Sequence, residues 1–462
     1  MTTVAKILTN IVENRKRHLD VIRERVAHVD FDTLRYSERS LYDSLSRPGT
    51  AFIMECKSAS PSLGPIRDDY KPGEIASVYS RYAAGISVLC EPDFFNGDYN
   101  HLATVAATTH LPVLCKDFIV DEVQIYAARY FGADAILLML SVLNDDEYAH
   151  LASIAESLHM DVLTEVINED EAQRAIKLGA KIFGVNHRNL HDLSIDLDRS
   201  ARLAELAPDG AVVVSESGIR DTATVRRLGG HSDAFLVGSQ LTSQPDIDRA
   251  CRELVYGPNK VCGLRSASAA QAAKACGAVY GGLIFDDASP RNVSRETAAD
   301  IIAAEPGLDY VAVSRRTSGY DELVQPGIAA VQIHAPYQGS VEAELALIES
   351  VRKEVDVEVW RAVSMTQPDG EKVAEAVAGV VDKLVLDAHD GGSGERFDWT
   401  RVPDAVKEKA FLAGGLNPDN LTDALRVGCA GLDLNSGFED PNGHKDAGAL
   451  RRGFDTIGNY HD

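Results

Sequence analysis

A pattern of two apolar runs and two glycine turns occurs near the end of each half of the chain and constrains its fold most strongly. Gly218 and Ser239 mark the two turns of the first copy, and Gly415 and Ser436 mark those of the second. Both pairs are 21 positions apart. The last two strand–helix units of a (β/α)8 barrel bind a phosphate group in this way, through backbone amides and a helix N-terminus. The repeated spacing therefore predicts a phosphate site in each half.

Short apolar runs alternate with helical stretches eight times in each half, which is typical of parallel strands covered on both faces. We therefore predict an α/β protein of two fused (β/α)8 TIM barrels. Gly257-Pro258-Asn259 ends any helix, so we expect one barrel in residues 1–256 and the other in 257–462. Amphipathic sequence before the first barrel predicts extra N-terminal helices over 4–26 and 31–45. The predicted strands are 51–55, 87–90, 112–115, 134–139, 161–165, 182–186, 211–215 and 234–237, then 260–262, 281–285, 310–313, 329–334, 357–362, 383–387, 410–414 and 430–435.

The composition limits the partners of the chain. Its 45% hydrophobic and 25% charged residues are typical of a globular protein, and no apolar run has the length of a membrane span. The net charge of −24 disfavours nucleic acid and anionic membranes. Seven cysteines without a CxxC pair, and an N-terminus without a secretory signal pattern, predict a cytoplasmic protein without disulfides or zinc. We expect phosphorylated small molecules as ligands, a monomer, and no metal or organic cofactor.

Charged residues follow the strands of the first half, at the end of the barrel where active sites lie. Glu55 and Lys57 end the first strand, Lys116 the third and Glu165 the fifth. Lysines and carboxylates that converge at one mouth can perturb one another's pKa and divide the roles of acid and base. The sequence therefore predicts acid–base catalysis here. The sixth and seventh strands add Asn186, Arg188, Glu216 and Ser217.

The motifs of the first half resemble those of indole-3-glycerol phosphate synthase over essentially all of residues 1–255. They are Glu55-Cys56-Lys57 with Ser60-Pro61-Ser62, Leu114-Cys115-Lys116-Asp117-Phe118, Glu165-Val166, Gly184-Val185-Asn186-His187-Arg188-Asn189-Leu190 and Ser215-Glu216-Ser217-Gly218-Ile219. That family closes the indole ring of 1-(2-carboxyphenylamino)-1-deoxyribulose 5-phosphate, with loss of CO2 and water. The resemblance implies that Lys116 polarises the ribulose carbonyl and that Lys57 pairs with the substrate carboxylate. How Glu55 and Glu165 divide the acid and base roles stays open.

The same resemblance implies the substrate contacts of the first barrel. Asn186, a candidate catalytic residue, and Arg188 would orient the anthranilate carboxylate and the sugar hydroxyls. The phosphate would lie against Ser60, Gly218, Gly238 and Ser239. Phe118, Glu216 and Ser217 complete the candidate substrate-binding set.

The second half carries a different set of reactive residues on the same framework. Cys262 ends its first strand, His334 the fourth and Asp387 the sixth, while Arg291 lies beyond the second. A lone cysteine on a strand is most often a core residue. Paired across a barrel mouth with Asp387, Cys262 becomes a candidate base that faces a candidate acid.

These motifs resemble phosphoribosylanthranilate isomerase over about residues 258–460. They are Lys260-Val261-Cys262-Gly263-Leu264, Val331-Gln332-Ile333-His334, Leu386-Asp387 with Gly391-Gly392-Ser393-Gly394 and Phe397-Asp398-Trp399, Leu412-Ala413-Gly414-Gly415-Leu416, and Asp433-Leu434-Asn435-Ser436-Gly437. The resemblance implies an Amadori rearrangement of N-(5-phosphoribosyl)anthranilate, with Asp387 as acid, Cys262 as base and Arg291 at the anthranilate carboxylate. The other implied substrate contacts are His334, Gly392, Ser393, Gly394, Gly414, Gly415, Ser436 and Gly437.

Two other functions compete with this interpretation. The paired barrels of histidine synthesis share the doubled phosphate sites, but they use two aspartates at strand ends, whereas this chain offers Glu55 with Lys57 and Cys262 with Asp387. A scaffold with one inactive barrel would lack one of the two sets, and both are present. Two departures from the isomerase pattern are Ala335-Pro336 after His334 and the acidic Asp286-Asp287 near the expected anion site.

Overall fold

The computed structural model describes residues 5–189, 192–388 and 394–462, which form two compact units, Met1–Cys251 with His461–Asp462, and Arg252–Tyr460. The prediction of two barrels is confirmed, because each unit contains a closed barrel of eight parallel strands. In each barrel, every strand pairs with the barrel strands that come before and after it in sequence, and the last barrel strand closes on the first. All sixteen predicted strands are present, with ends that differ by up to two residues.

The first unit follows the strand–helix alternation read from the sequence. Its strands are β1 (Ala51–Cys56), the antiparallel pair β2 (Ala59–Ser60) and β3 (Gly64–Pro65), β4 (Gly85–Leu89), β5 (Val113–Lys116), β6 (Ala135–Met139), β7 (Asp161–Val166), β8 (Ile182–Asn186), β9 (Val212–Glu216) and β10 (Ala234–Val237). Its helices are α1 (Ala5–Arg17), α2 (Leu19–Arg25), α3 (Leu41–Leu45), α4 (Pro72–Tyr79), α5 (Pro92–Phe95), α6 (Tyr99–Thr108), α7 (Glu122–Tyr130), α8 (Asp145–Ser157), α9 (Glu169–Lys177), α10 (Arg199–Ala204), α11 (Thr222–Leu228), α12 (Ser239–Thr242) and α13 (Ile247–Tyr256), which continues into the second unit.

The second unit repeats the scheme. Its strands are β11 (Lys260–Val261), β12 (Tyr280–Ile284), β13 (Asp309–Ser314), β14 (Ile328–Ile333), β15 (Glu358–Ser364), β16 (Lys383–Asp387), β17 (Ala410–Leu412) and β18 (Gly431–Leu434). Its helices are α14 (Ala267–Cys276), α15 (Arg295–Ala304), α16 (Val341–Glu354), α17 (Gly370–Ala378), α18 (Leu421–Arg426) and α19 (Ala447–Asn459). Short 3-10 turns lie at Tyr320–Leu323, Trp399–Arg401, Asp404–Lys409 and Ser436–Phe438.

The predicted N-terminal helices are only partly correct. The first is interrupted at His18, between α1 and α2, and the second, over 31–45, is wrong. Residues Phe31–Thr33 form a 3-10 turn, and only α3 is helical beyond it. Ser37 lies between them and binds the barrel instead, because its hydroxyl donates to Asp134 (2.8 Å) and its amide to the Leu158 carbonyl (3.0 Å). Tertiary contacts therefore override the local helical pattern.

The packing of each barrel leaves the C-terminal ends of its strands for polar side chains. In the second barrel Trp360 stacks on Phe411 with ring centroids 5.2 Å apart, and Tyr280 meets Trp360 edge-on. These large rings fill the interior at its N-terminal end, where they contribute stability rather than chemistry. None of the helices in the described part of the chain has the length and apolar character needed to cross a membrane.

Candidate active sites

Three charged side chains of the first barrel form a compact group at the ends of β1 and β5. Glu55 is almost fully buried and accepts hydrogen bonds from Lys57 (3.0 Å), Lys116 (3.1 Å) and Ser87 (2.8 Å). Burial favours the neutral acid, but the ammonium groups of Lys116 and Lys57 outweigh it and lower the pKa of Glu55 to about 2. Glu55 is therefore an anion throughout the working pH range and fixes both lysines.

Glu165 on β7 and Glu216 on β9 form a second group, a pair of buried carboxyls that share a hydrogen bond. Two carboxyl groups can share such a bond only when one of them carries a proton. Burial, followed by the charge of Glu216, raises the pKa of Glu165 well above its usual value, and burial raises that of Glu216. Within the described residues, Oε2 of Glu165 and Oε1 of Glu216 have no hydrogen-bond partner. The pair therefore favours a state in which at least one of the two carboxyls is protonated.

The turn after β9 lies where the sequence predicts an anion site. Ser217 and Gly218 have φ of +70° and +79°, so two successive residues of this turn are left-handed. The Ser217 hydroxyl donates to Asn186 (2.9 Å), and the His187 ring contacts the Ser217 carbonyl (2.9 Å). A second turn at Gly238 leads into α12, which begins at Ser239. Both glycine turns thus lie at the carboxyl ends of adjacent strands, as the repeated pattern predicts.

The remaining candidates of the first barrel lie on loops after the strands. Ser60 is in the β2–β3 hairpin, where its hydroxyl accepts from the Leu63 amide (3.2 Å). The ring of Phe118 lies 5.9 Å from that of Phe95. Arg188 follows β8, and its amide donates to the Asn186 side chain (3.0 Å). The Lys57 ammonium lies 5.9 Å from the centroid of the Phe95 ring, which links this aromatic pair to the charged group.

A cavity of about 280 Å³ opens at the carboxyl end of the second barrel. The predicted residues among those that line it are Cys262, Arg291, His334, Asp387, Gly394, Gly414, Gly415 and Ser436. Cys262 is 4% exposed and Asp387 is 9% exposed, so both reach the cavity from buried positions. His334 lies 3.9 Å from Asp387. The structure thus brings the candidate acid and the candidate base to one pocket.

Charged neighbours surround the Cys262 sulfur. Burial raises the pKa of this thiol, while the ammonium groups of Lys260 and Lys445 oppose that effect and Asp433 adds to it. Arg291, expected to meet a substrate carboxylate, makes a bidentate ion pair with Glu439 (2.6 and 2.9 Å). The arginine is therefore held in place by an acid before any substrate binds.

The glycines predicted to bind phosphate in the second barrel also lie in turns of the expected conformation. Gly394, Gly414 and Gly415 all have positive φ, and a methyl group on Gly415 would lie 3.0 Å from the Gly394 carbonyl oxygen. Gly437 is required by close packing instead of by its φ, since a methyl group added to it would lie 1.9 Å from the Leu416 carbonyl oxygen. Gly392 and Ser393 were also predicted to bind phosphate, and both lie outside the described residues.

Sequence reasoning missed three residues of the second site: Lys260, Glu439 and Lys445. Lys445 donates to Glu439 (2.9 Å) and Asn435 (2.9 Å) from a position ten residues after Asn435. No spacing pattern marks it, because it returns through a loop after β18. Lys260 lay inside a recognised motif, but a lysine within a strand gives no sign that its ammonium is buried.

One group of possible metal ligands occurs among the described residues, His18 with Glu91 and Asp93. The carboxylate of Glu91 is already occupied, because it accepts hydrogen bonds from the amides of Asp93, Phe94 and Phe95 at the start of α5. Glu91 is thus the N-cap of α5, and His18 pairs with Asp93 (2.9 Å).

Comparison with known proteins identifies the chain. Residues 8–254 match the family of indole-3-glycerol phosphate synthase, and residues 259–456 match that of N-(5'-phosphoribosyl)anthranilate isomerase. The tryptophan biosynthesis protein TrpCF of Corynebacterium glutamicum is 70% identical, with 98% of both chains covered. The chain belongs to this family of bifunctional tryptophan biosynthesis proteins. TrpCF of Salmonella typhi is 43% identical over 98% of this chain and 99% of its own.

The chain is therefore a bifunctional enzyme with a synthase barrel and an isomerase barrel, and both resemblances seen in the sequence are confirmed at the level of family. A solved phosphoribosyl anthranilate isomerase from Thermus thermophilus is 28% identical, covers 43% of this chain and 96% of its own, and has a TM-score of 0.36. Phosphorylated small molecules are the ligands that this family implies.

Proposed function

We propose that the isomerase barrel rearranges N-(5-phosphoribosyl)anthranilate through Asp387 and Cys262. Asp387 donates a proton to the ring oxygen of the ribose, which breaks the carbon–oxygen bond and leaves an imine. Cys262, as the thiolate, removes the proton from the adjacent carbon, and the resulting enol becomes the ketone. The supporting observation is that both side chains line one buried cavity from strands on different sides of the barrel.

Arg291 binds the anthranilate carboxylate in this proposal. Glu439 accepts hydrogen bonds from Nε and Nη2 of Arg291, which fixes the orientation of the guanidinium. Its remaining N–H groups can then bind the substrate carboxylate. The phosphate of the same substrate lies at the left-handed turns of Gly394 and Gly415, next to Ser436. Anchored at both ends, the substrate presents its ribose to the acid and the base.

The synthase barrel takes the product of the isomerase. Lys116 donates a hydrogen bond to the ribulose carbonyl and so favours attack by the aromatic ring carbon. Lys57 neutralises the carboxylate that leaves as CO2. Glu55 keeps both ammonium groups in place and does not itself exchange protons, since its pKa is about 2.

The proton transfers of dehydration fall to Glu165. With Glu216 it holds one proton between two carboxyls, so the pair can accept a proton at one step and return it at the next. The sequence alone does not show how Glu55 and Glu165 divide the acid and base roles; in this proposal Glu165 takes both roles and Glu55 takes neither. The substrate phosphate lies in the Ser217–Gly218 turn and at the start of α12.

We further propose that the enzyme acts as a cytoplasmic monomer. All seven cysteines are free thiols, which suits a reducing compartment. Each site draws its described residues from a single barrel, so a second copy is not required. Sedimentation of the pure enzyme at micromolar concentration would reveal any larger assembly.

The decisive experiment supplies phosphoribosylanthranilate to three forms of the full chain and follows both products. Wild type yields indole-3-glycerol phosphate. Lys116→Ala should stop after isomerisation and accumulate the ribulose intermediate, whereas Asp387→Ala should leave the first substrate unconverted. Mixing the two variants should restore the complete conversion. A folded variant that loses both activities would contradict the assignment of one reaction to each barrel.

A further inference from the structure

Lys260 is a fully buried lysine in the interior of the isomerase barrel, two residues before Cys262. Alternate residues of a strand share a face, so both side chains point into the barrel. The Lys260 ammonium donates to Gln332 (2.7 Å) and to Asp433 (2.9 Å). The Cys262 side chain lies near this ammonium, whose charge opposes the effect of burial and acts to lower the pKa of the thiol. The ammonium is thus anchored by two oxygen atoms beside the candidate base.

Gly282 on the neighbouring strand β12 shows how close this packing is. A methyl group on Gly282 would lie 2.5 Å from the Cys262 sulfur and 3.0 Å from Cε of Lys260. The two side chains therefore occupy together the space that glycine leaves open. Packing against Gly282 therefore holds the sulfur and the end of the lysine side chain close together.

Cations predominate among the charged groups closest to the sulfur. Lys260, Lys445 and Arg291 surround it, and Asp433 and Glu439 are the anions that pair with them. The other ionisable side chains that line the cavity are Asp286, Arg315, His334 and Asp387. Burial favours the neutral thiol, whereas the two ammonium groups favour the thiolate.

We propose that Lys260 is a positioning residue that holds Cys262 as the thiolate which the isomerase reaction needs. The inference rests on the proposed role of Cys262 as the base. Among the neighbours of the thiol, Lys260 has the largest effect in lowering its pKa, against burial and Asp433. Lys445 adds a smaller effect in the same direction.

The test measures how fast iodoacetamide alkylates Cys262 in the full-length enzyme as a function of pH, with the modified peptide quantified by mass spectrometry. Thiolate is the form that reacts, so the midpoint of the rate profile reports its formation. Two variants are compared, Asp433→Asn and Lys260→Met/Asp433→Asn. The two variants differ only at Lys260. Both carry Asp433→Asn, so removing Lys260 does not leave the Asp433 carboxylate buried without its cation.

Asp433→Asn removes a negative charge and should move the midpoint below that of wild type. The double variant also loses the ammonium, so its midpoint should lie at least about one pH unit above that of Asp433→Asn, equivalent to a tenfold slower reaction below the midpoint. The acid limb of isomerase kcat/KM should shift by the same amount. Identical profiles for the two variants would overturn the proposal.

The fluorescence of Trp360 and Trp399 checks the fold, because both tryptophans of the chain lie in the isomerase barrel. If the methionine variant does not fold, Lys260→Gln/Asp433→Asn keeps a hydrogen-bond donor and removes the same charge. Cys262→Ser separates the two hypotheses. Full isomerase activity in that variant would refute Cys262 as the base. An inactive Cys262→Ser together with superimposed alkylation profiles would refute only the role of Lys260.

Discussion

Arg15 on the first helix donates two hydrogen bonds to Asp117, the residue that follows Lys116 (2.9 and 2.7 Å). Both side chains are buried, and Asp117 also accepts from the amide of Phe118 (2.8 Å). The N-terminal helix is thereby tied to the turn that carries the lysine of the synthase site. A minimal barrel does not need the N-terminal helices, and this contact indicates that α1 supports the turn after β5.

Arg15→Met should destabilise the synthase barrel and lower its kcat, while isomerase activity stays normal. Removal of one partner of a buried ion pair costs about 3–5 kcal/mol, because the other charge is left uncompensated. The measurement is the urea concentration at which synthase activity is half lost, together with kcat in the absence of urea. Isomerase activity measured in the same samples serves as the internal reference.

Arg23→Ala is the matched control for this variant. Arg23 joins α2 to Asp121, again an N-terminal helix and the loop after β5, but its side chain is about half exposed. Such a pair contributes only about 0–1 kcal/mol. Equal losses in the two variants would mean that the helix as a whole matters and that the buried contact with Asp117 has no special role.

Glu165→Gln should remove most synthase activity and also change how the stability of that barrel depends on pH. The raised pKa of Glu165 means that the folded state keeps a proton which the unfolded chain releases above about pH 4.3. Its contribution to stability is therefore complete below that pH and is lost as pH rises through the folded pKa. Glutamine cannot ionise, so the variant should be less sensitive to pH over this window and more stable than wild type at pH 8.

Urea unfolding followed by circular dichroism at pH 5, 6.5 and 8 tests this expectation, with tryptophan fluorescence as a separate report on the isomerase barrel. Glu169→Gln, an exposed change at the start of α9, is the control and should follow wild type. Loss of general acid–base catalysis predicts that kcat of Glu165→Gln falls by a factor of about 10² or more. A variant with wild-type kcat would remove Glu165 from the mechanism.

The sequence predicts the barrels well because strand periodicity and glycine turns are local signals. Each strand is a short apolar run, and the positive φ of Gly218 and Gly415 is what a glycine at a phosphate turn requires. The helix predicted over 31–45 is wrong for a reason that the local sequence does not contain, since Ser37 binds Asp134 nearly a hundred residues away. The same reason hides the shared proton of Glu165 and Glu216. Both residues are visible at strand ends, but their contact follows from the curvature of the closed barrel.

Gly415→Ala should weaken phosphate binding in the isomerase site without affecting the synthase. The residue has φ of +68°, and an added methyl group would approach the Gly394 carbonyl. A displaced turn loses hydrogen bonds to a charged ligand, each worth about 1.5–3 kcal/mol, so KM should rise about tenfold or more. Competitive inhibition by inorganic phosphate should weaken in parallel.

Gly428→Ala is the control for this change. Gly428 also has a positive φ, +85°, but it follows α18, and the nearest atom to an added methyl group is 4.0 Å away. Both alanines should lose about 1 kcal/mol of stability through backbone strain. Only Gly415→Ala should raise KM, and a similar rise in Gly428→Ala would show that strain alone disturbs the site.

The two barrels should function as separate proteins, and the isomerase should be more stable when it keeps α13. Each unit has its own eight strands, phosphate turns and acid–base set, so each can close its barrel and bury its core alone. The boundary at 256/257, proposed from the sequence, assigns all of α13 to the synthase. In the structure the boundary between the compact units falls inside that helix, after Cys251.

Arg252 explains the expected difference between the two cuts. Its fully buried side chain donates to the carbonyls of Ala278 and Gly307 (2.9 Å for the latter), and the ring of Tyr256 packs edge-on against Phe454. An isomerase that starts at residue 257 lacks both side chains. It leaves the buried Ala278 carbonyl and the partly buried Gly307 carbonyl without this donor, and an unpaired buried acceptor costs about 1–3 kcal/mol. One that starts at residue 247 keeps them.

Both isomerases should be active on phosphoribosylanthranilate, but the longer one should unfold at a higher urea concentration, as followed by tryptophan fluorescence. Equal midpoints would show that α13 contributes nothing to this barrel. A folded isomerase that regained activity only when mixed with the synthase would show that the sites are shared, and the assignment of one complete site to each barrel would fail.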